Sequence, residues 1–235
     1  MPSDLPPMKG RLGAPLKMAN RVSTGMDKLD LIMEGGFARG SSIAFFCSHS
    51  AVKNLYPVQL ANNGLKLGEG VLYVLADFPI ATLEQIAQNY SLTAVRRDSL
   101  YLIDCSDWAA GKGVSPLSLE DISIRLNTGL AKQTRNTSRV IVHSLSTLLL
   151  YNDLSKVFKF VGFIGSKLKT SDTTIIYLVD RDIHSAQVLN TLRHLCDYTM
   201  ELTERDSHLM LSIGGVTMLP VEVEIEIGGN GIQLA

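Results

Sequence analysis

Two hydrophobic rhythms alternate along most of the chain. Short runs that are apolar at nearly every position, at Ser42–Phe46, 71–75, 100–103, 140–142 and 175–179, read as strands buried on both faces of a parallel sheet. Between them, stretches at about 54–67, 80–90, 118–134, 153–169 and 185–196 are each long enough for a helical crossover. Ser118, Leu119, Glu120 and Asp121 predict a capping box at the start of the third of these helices. Such alternation predicts an α/β fold. After Cys196 the rhythm shortens to 199–203, 209–212 and 221–225, with Gly-Gly pairs at 214–215 and 228–229 as turns, which predicts an antiparallel extension of the main sheet.

Residues 1–20 carry Pro2, Pro6, Pro7 and Pro15 with Gly10 and Gly13, a punctuation that predicts a loose or docked arm, so the domain is set at 21–235. Composition changes this picture little: 46% hydrophobic residues, 19% charged residues and a formal net charge of -1 describe an ordinary globular protein with no large field of one sign. Nucleic acid and anionic membranes are therefore disfavoured as partners. Cys47, Cys105 and Cys196 stand far apart and suit buried thiols in a reducing compartment, and no apolar run approaches a membrane span, so a cytoplasmic location is expected.

The most specific segment is 24–41, Thr-Gly-Met-Asp-Lys-Leu-Asp-Leu-Ile-Met-Glu-Gly-Gly-Phe-Ala-Arg-Gly-Ser, which runs straight into the first apolar strand. Thr24, Gly25, Leu29, Asp30, Gly35, Gly36, Arg39, Gly40 and Ser41 stand in register with the opening of the KaiC-like branch of the RecA superfamily, and the chain resembles that family over about 21–234. The resemblance implies a RecA-like three-layer αβα sandwich, a mostly parallel sheet with an antiparallel C-terminal extension, an archaeal source, and ring-forming relatives that hold ATP between subunits.

The chain departs from the family where ATP would be held. A P-loop needs G-x-x-x-x-G-K-[ST], because backbone amides wrap the phosphates, the lysine adds a point charge and the hydroxyl meets magnesium. The aligned residues are Cys47, Ser48, His49, Ser50, Ala51, Val52, Lys53 and Asn54, so only Lys53 is retained. Valine resists the left-handed backbone that glycine adopts freely. The family's Walker B strand ends in an aspartate; here His143 precedes Ser144 and Leu145, removing a hard oxygen ligand. Where the family carries a pair of glutamates, one acid remains, Asp77 before Phe78, and the stretch aligned with the family's inter-subunit Lys-x-Arg element is 212–215, without a cation.

These losses predict a catalytically inactive pseudo-ATPase, with no catalytic residues, that regulates or transduces a signal through protein contacts, with a protein partner or further copies of itself. No cofactor is expected. ATP stays open as a ligand of a degenerate pocket made by Lys53, Asn54, Ser50 and Asp77, and the alternatives are a nucleotide sensor without efficient hydrolysis or a residual ATPase. A transition-metal site from His49, His143, Asp77 and Cys47 lacks any short ligand spacing and is set aside. Asp180, Arg181 and Asp182 follow the fifth strand, where ligands of open α/β sheets gather or where a charged loop simply meets solvent.

Overall fold

A computed structural model describes residues 20–96, 100–132, 137–216 and 218–235. The predicted arm, apart from Asn20, lies outside the described residues. In chain order the elements are β1 (Arg21–Val22), α1 (Asp27–Ile32), β2 (Phe37–Ala38), β3 (Ser42–Phe46), α2 (Ser50–Lys66), β4 (Gly70–Leu75), α3 (Ile80–Asn89) and β5 (Tyr101–Asp104). Then follow α4 (Leu119–Lys132), β6 (Thr137–His143), α5 (Leu145–Tyr151), α6 (Leu154–Lys169), β7 (Thr174–Val179), α7 (Ala186–Leu195), β8 (Tyr198–Arg205), β9 (His208–Gly215), β10 (Met218–Gly228) and β11 (Gly231–Leu234).

The main sheet runs β11-β10-β9-β8-β3-β7-β6-β4-β5. The pairings from β8 through β5 are parallel, and those linking β8, β9, β10 and β11 are antiparallel. Strand β8 therefore differs from the expectation that everything after Cys196 is antiparallel: its Ile43–Tyr198 register makes it the parallel neighbour of β3, and only its far side begins the meander. The two-residue period of a half-buried strand does not reveal the direction of its neighbour.

Period-two geometry sends alternate side chains to opposite faces, which gives the three layers. Val71, Tyr73 and Leu75 of β4 join the core under α1, α2 and α3, whereas Leu72 and Val74 join the core under α4, α5, α6 and α7. Strands β3, β4 and β7 are buried at every position, as their uninterrupted apolar runs require.

Helices α1 and α5 have no counterpart in the sequence reading, and α2 begins four residues earlier than predicted. Helix α5 has only seven residues and starts directly after a strand, capped by Ser144, whose hydroxyl accepts from Thr147 N. At α4, Ser118 Oγ accepts from Asp121 N at 3.2 Å, but the return arm of the expected box is replaced by Ser118 N donating to Ser115 O.

The opening motif has a structural job. The Asp30 carboxylate accepts from Thr24 N at 2.6 Å and from the Ser23 hydroxyl, folding α1 back onto its own lead-in. Gly36 sits at φ +102°, where a Cβ would lie 2.2 Å from Val22 O, so the β1–β2 ribbon can close only on glycine. Buried Gln59 then ties this segment to the far end of the chain: its amide donates to Gly25 O and Ile232 O at 2.8 Å each and accepts from Ile232 N at 2.7 Å. Leucine at 59 keeps the volume and strands those backbone groups, so Gln59→Leu is expected to lower stability by about 2–3 kcal/mol in urea denaturation. A loss below about 0.5 kcal/mol would contradict this stapling role.

Candidate functional site

The carboxyl ends of β3, β4, β6 and β7 bring Cys47, Asp77, Ser144 and Asp180 to one edge of the sheet, the edge at which ligands of open α/β sheets bind. Cys47 N continues the ladder by donating to Val179 O at 2.9 Å. Helix α2 then begins at Ser50, capped by His49, whose Nδ1 accepts from Val52 N at 3.4 Å while Lys53 N donates to His49 O at 2.9 Å. No residue from 47 to 54 has positive φ. Ser50, Ala51 and Val52 thus form the first helical turn, and two amides near Lys53 are spent on His49.

Lys53 Nζ lies 3.1 Å from Asp180 Oδ2 and 3.8 Å from Asp77 Oδ2. Asp77 is oriented from its other oxygen, which accepts from Ser144 Oγ at 2.6 Å and from Thr147 Oγ1. Asp180 also accepts from Ser48 Oγ and Asp182 N, each at 3.2 Å. Partial burial pushes the Asp180 carboxyl upward, but the Lys53 ammonium, the Asp182 amide and the Ser48 hydroxyl outweigh it and hold its pKa below the usual value. Of the four pocket residues named from sequence, Lys53 and Asp77 therefore come together, whereas Ser50 and Asn54 lie on α2 and make no hydrogen bond to that pair among the described residues.

His143 points into the α2 side of the sheet, fully buried. Its Nδ1 is 2.8 Å from the Tyr73 hydroxyl, the Phe78 ring meets it edge-on at 4.9 Å, and its Nε2 has no partner. Burial pushes the imidazole pKa down to about 4, with Lys53 adding to the effect and Asp77 opposing it. Of the residues set aside as a metal set, His49 caps α2 and the Cys47 thiol donates to His49 O, and no group of three His, Cys, Asp or Glu side chains among the described residues is placed to hold a metal. Burial pushes the Cys47, Cys105 and Cys196 thiols up to about 12, so all three stay protonated.

Arg181 and Arg193 both contact Glu201, at 2.9 and 3.2 Å, and Arg193 stacks over the Phe46 ring at 4.7 Å. The 212–215 segment runs within β9, with Ser212 between Glu201 and Glu222. Sequence reasoning missed Ser48, Ser144, Thr147 and the pair formed by Ser146 Oγ and His184 Nε2 at 2.8 Å. Serine and threonine carry no spacing signal of their own, and only the strand order brings these hydroxyls together.

Residues 86–202 match a family of unknown function, DUF7504. A curated relative from Pyrococcus furiosus, UPF0273 protein PF1931, is 26% identical over 142 residues, which make up 57% of this chain and 58% of that protein, so the chain spans less than two thirds of the relative's length. The solved KaiC-like protein PH0186 from the hyperthermophilic archaeon Pyrococcus horikoshii superposes with a TM-score of 0.70 over 92% of this chain and 98% of its own, at 15% identity. The fold is thus the KaiC-like, RecA-type one that the opening segment implied.

Proposed function

We propose that this chain is a non-catalytic member of the RecA-type architecture that works as a regulatory or signalling subunit in the cytoplasm, through contacts with a protein partner or with copies of itself. One observation carries the reading: the 47–54 segment is a strand end followed by a side-chain-capped helical turn, with no left-handed residue, rather than a loop of free amides around a phosphate. His143 in place of a carboxylate and the position of Ser50 and Asn54 outside the Lys53 network point the same way. No helix among the described residues is long and apolar enough to cross a membrane. Leu150, Leu154 and Phe163 stand exposed on α5 and α6, together with Tyr151, whose ring meets Trp108, and supply apolar surface of the kind used in protein contacts.

Isothermal titration with Mg-ATP, paired with a phosphate-release assay, tests the reading. Turnover at the buffer level and no sub-micromolar binding are expected. Sub-micromolar binding with turnover that Lys53→Ala abolishes would overturn it. Lys53 in the first turns of a 17-residue helix favours one second reading, a nucleotide sensor. That reading requires ADP or ATP to raise the melting temperature without turnover.

A further inference from the structure

We propose that Asp180 is a built-in anion, seated where a phosphate oxygen would meet Lys53, and that it is the residue that closes this pocket to polyanions. The inference rests on the non-catalytic reading above and adds a charge barrier to the altered 47–54 backbone. Asp180 collects one ammonium at 3.1 Å, one hydroxyl from Ser48 at 3.2 Å and, at 3.2 Å, the backbone N–H of Asp182, which is shared with Ser48 Oγ at 3.2 Å. A cation, a hydroxyl and an amide converging on one small anion is the donor set that proteins offer to phosphate oxygens. The strand order makes this possible, because β7 lies next to β3 and Asp180 is the first residue beyond β7, directly beside the loop that follows β3.

The surrounding charges reinforce the closure. Lys53 faces two carboxylates, so the cluster of Lys53, Asp77 and Asp180 already carries one negative charge in excess. His143 stays neutral near pH 7 and offers no compensation, and Arg181 and Arg193 are engaged with Glu201. A polyphosphate entering here would meet carboxylates before it met an available cation. Neutralising position 180 removes the excess charge and releases Lys53 from its nearer partner, while Asp77 remains tethered by Ser144 and Thr147. The missing glycines make a different prediction: if backbone shape alone excluded phosphate, no substitution at 180 would restore binding.

The test is calorimetric titration of inorganic pyrophosphate, without metal and at low ionic strength, into the full chain, Asp180→Asn and the double variant Asp180→Asn/Lys53→Met. Asparagine keeps an acceptor for Ser48 and the Asp182 amide. Asp180→Asn is expected to bind on the order of tenfold tighter than wild type, salt to weaken that gain, and the double variant to lose it. Asp180→Ser serves as a second variant with the same expectation. Wild-type pyrophosphate affinity in both, with native circular dichroism, overturns the inference and leaves the non-catalytic reading standing. ATP turnover by the wild type sinks that reading whatever the variants at 180 do.

Discussion

Replacing Arg139 with alanine is expected to lower the unfolding free energy by about 3–5 kcal/mol, the cost of stripping one partner from a buried ion pair. Arg139, the third residue of β6, is 2% exposed and is the largest fully buried side chain among the described residues. Its Nε meets the Glu69 carboxylate, Nη1 donates to Ser23 O at 3.0 Å and Leu60 O at 3.2 Å, and Nη2 donates to Asn63 Oδ1 at 3.1 Å. One guanidinium thus clamps the opening segment, helix α2 and strand β6. Gly64 is its imprint in the sequence: a Cβ there would lie 2.6 Å from Arg139 Nε, so α2 tolerates a helix-weakening glycine where the guanidinium crosses it. Alanine leaves Glu69 with Arg39 at 3.9 Å and takes the guanidinium donors from Ser23 O and Leu60 O. Lysine is no substitute, since one ammonium cannot span four acceptors in a plane. Urea denaturation reads the loss directly, and a change below about 1 kcal/mol would remove Arg139 from this role. The double variant Arg139→Met/Glu69→Gln should lose less than the single alanine, because no charge remains buried alone.

The layers were legible in the sequence because they rest on apolar periodicity. Runs such as Ser42–Phe46 are buried at every position, and alternate residues of β4 serve opposite cores. The direction of β8 was not legible, since its alternation is the same whether it pairs parallel with β3 or antiparallel with β9. The short helices α1 and α5 carry less than two turns of periodicity, too little to stand out against their flanks. Of the candidate site, Lys53, Asp77 and His143 could be named by their place in a motif, and the structure supplies what the motif could not. Two elements distant in sequence, β4 and β7, deliver the carboxylates that flank Lys53, and their meeting depends on the order β3-β7-β6-β4.

The same comparison separates two roles within one resemblance. The residues that match the family, Thr24, Gly25, Asp30 and Gly36, build the turn, the return hydrogen bond and the close backbone approach that seat α1 against α2. The residues that depart from it, Cys47, Val52, Asn54 and His143, cluster at the carboxyl edge. The matching residues thus serve the scaffold and the departing ones lie at the pocket, and it is on this division that the proposed function rests.

That altered pocket should also leave an acid signature in the protein's stability. His143 has an ordinary pKa of 6.5 when unfolded and about 4 when folded, because the buried ring cannot accept a proton without solvation. Between those values the unfolded chain binds a proton that the folded chain refuses, so unfolding becomes easier as pH falls. The stability present above pH 6.5 is lost progressively on the way to pH 4, by about 3 kcal/mol in total. Asp180 and Asp197, both held below the ordinary carboxylate value, lose their contributions only at lower pH, so the carboxylate and histidine effects occupy separate windows. His143→Gln keeps an acceptor within reach of Tyr73 and does not titrate. Urea midpoints should fall more steeply between pH 7 and pH 4.5 in the wild type than in the variant, where His184, also held below its ordinary value by burial, is the shifted histidine left to titrate in this window. An equal slope in both proteins would place the acid-sensitive group elsewhere.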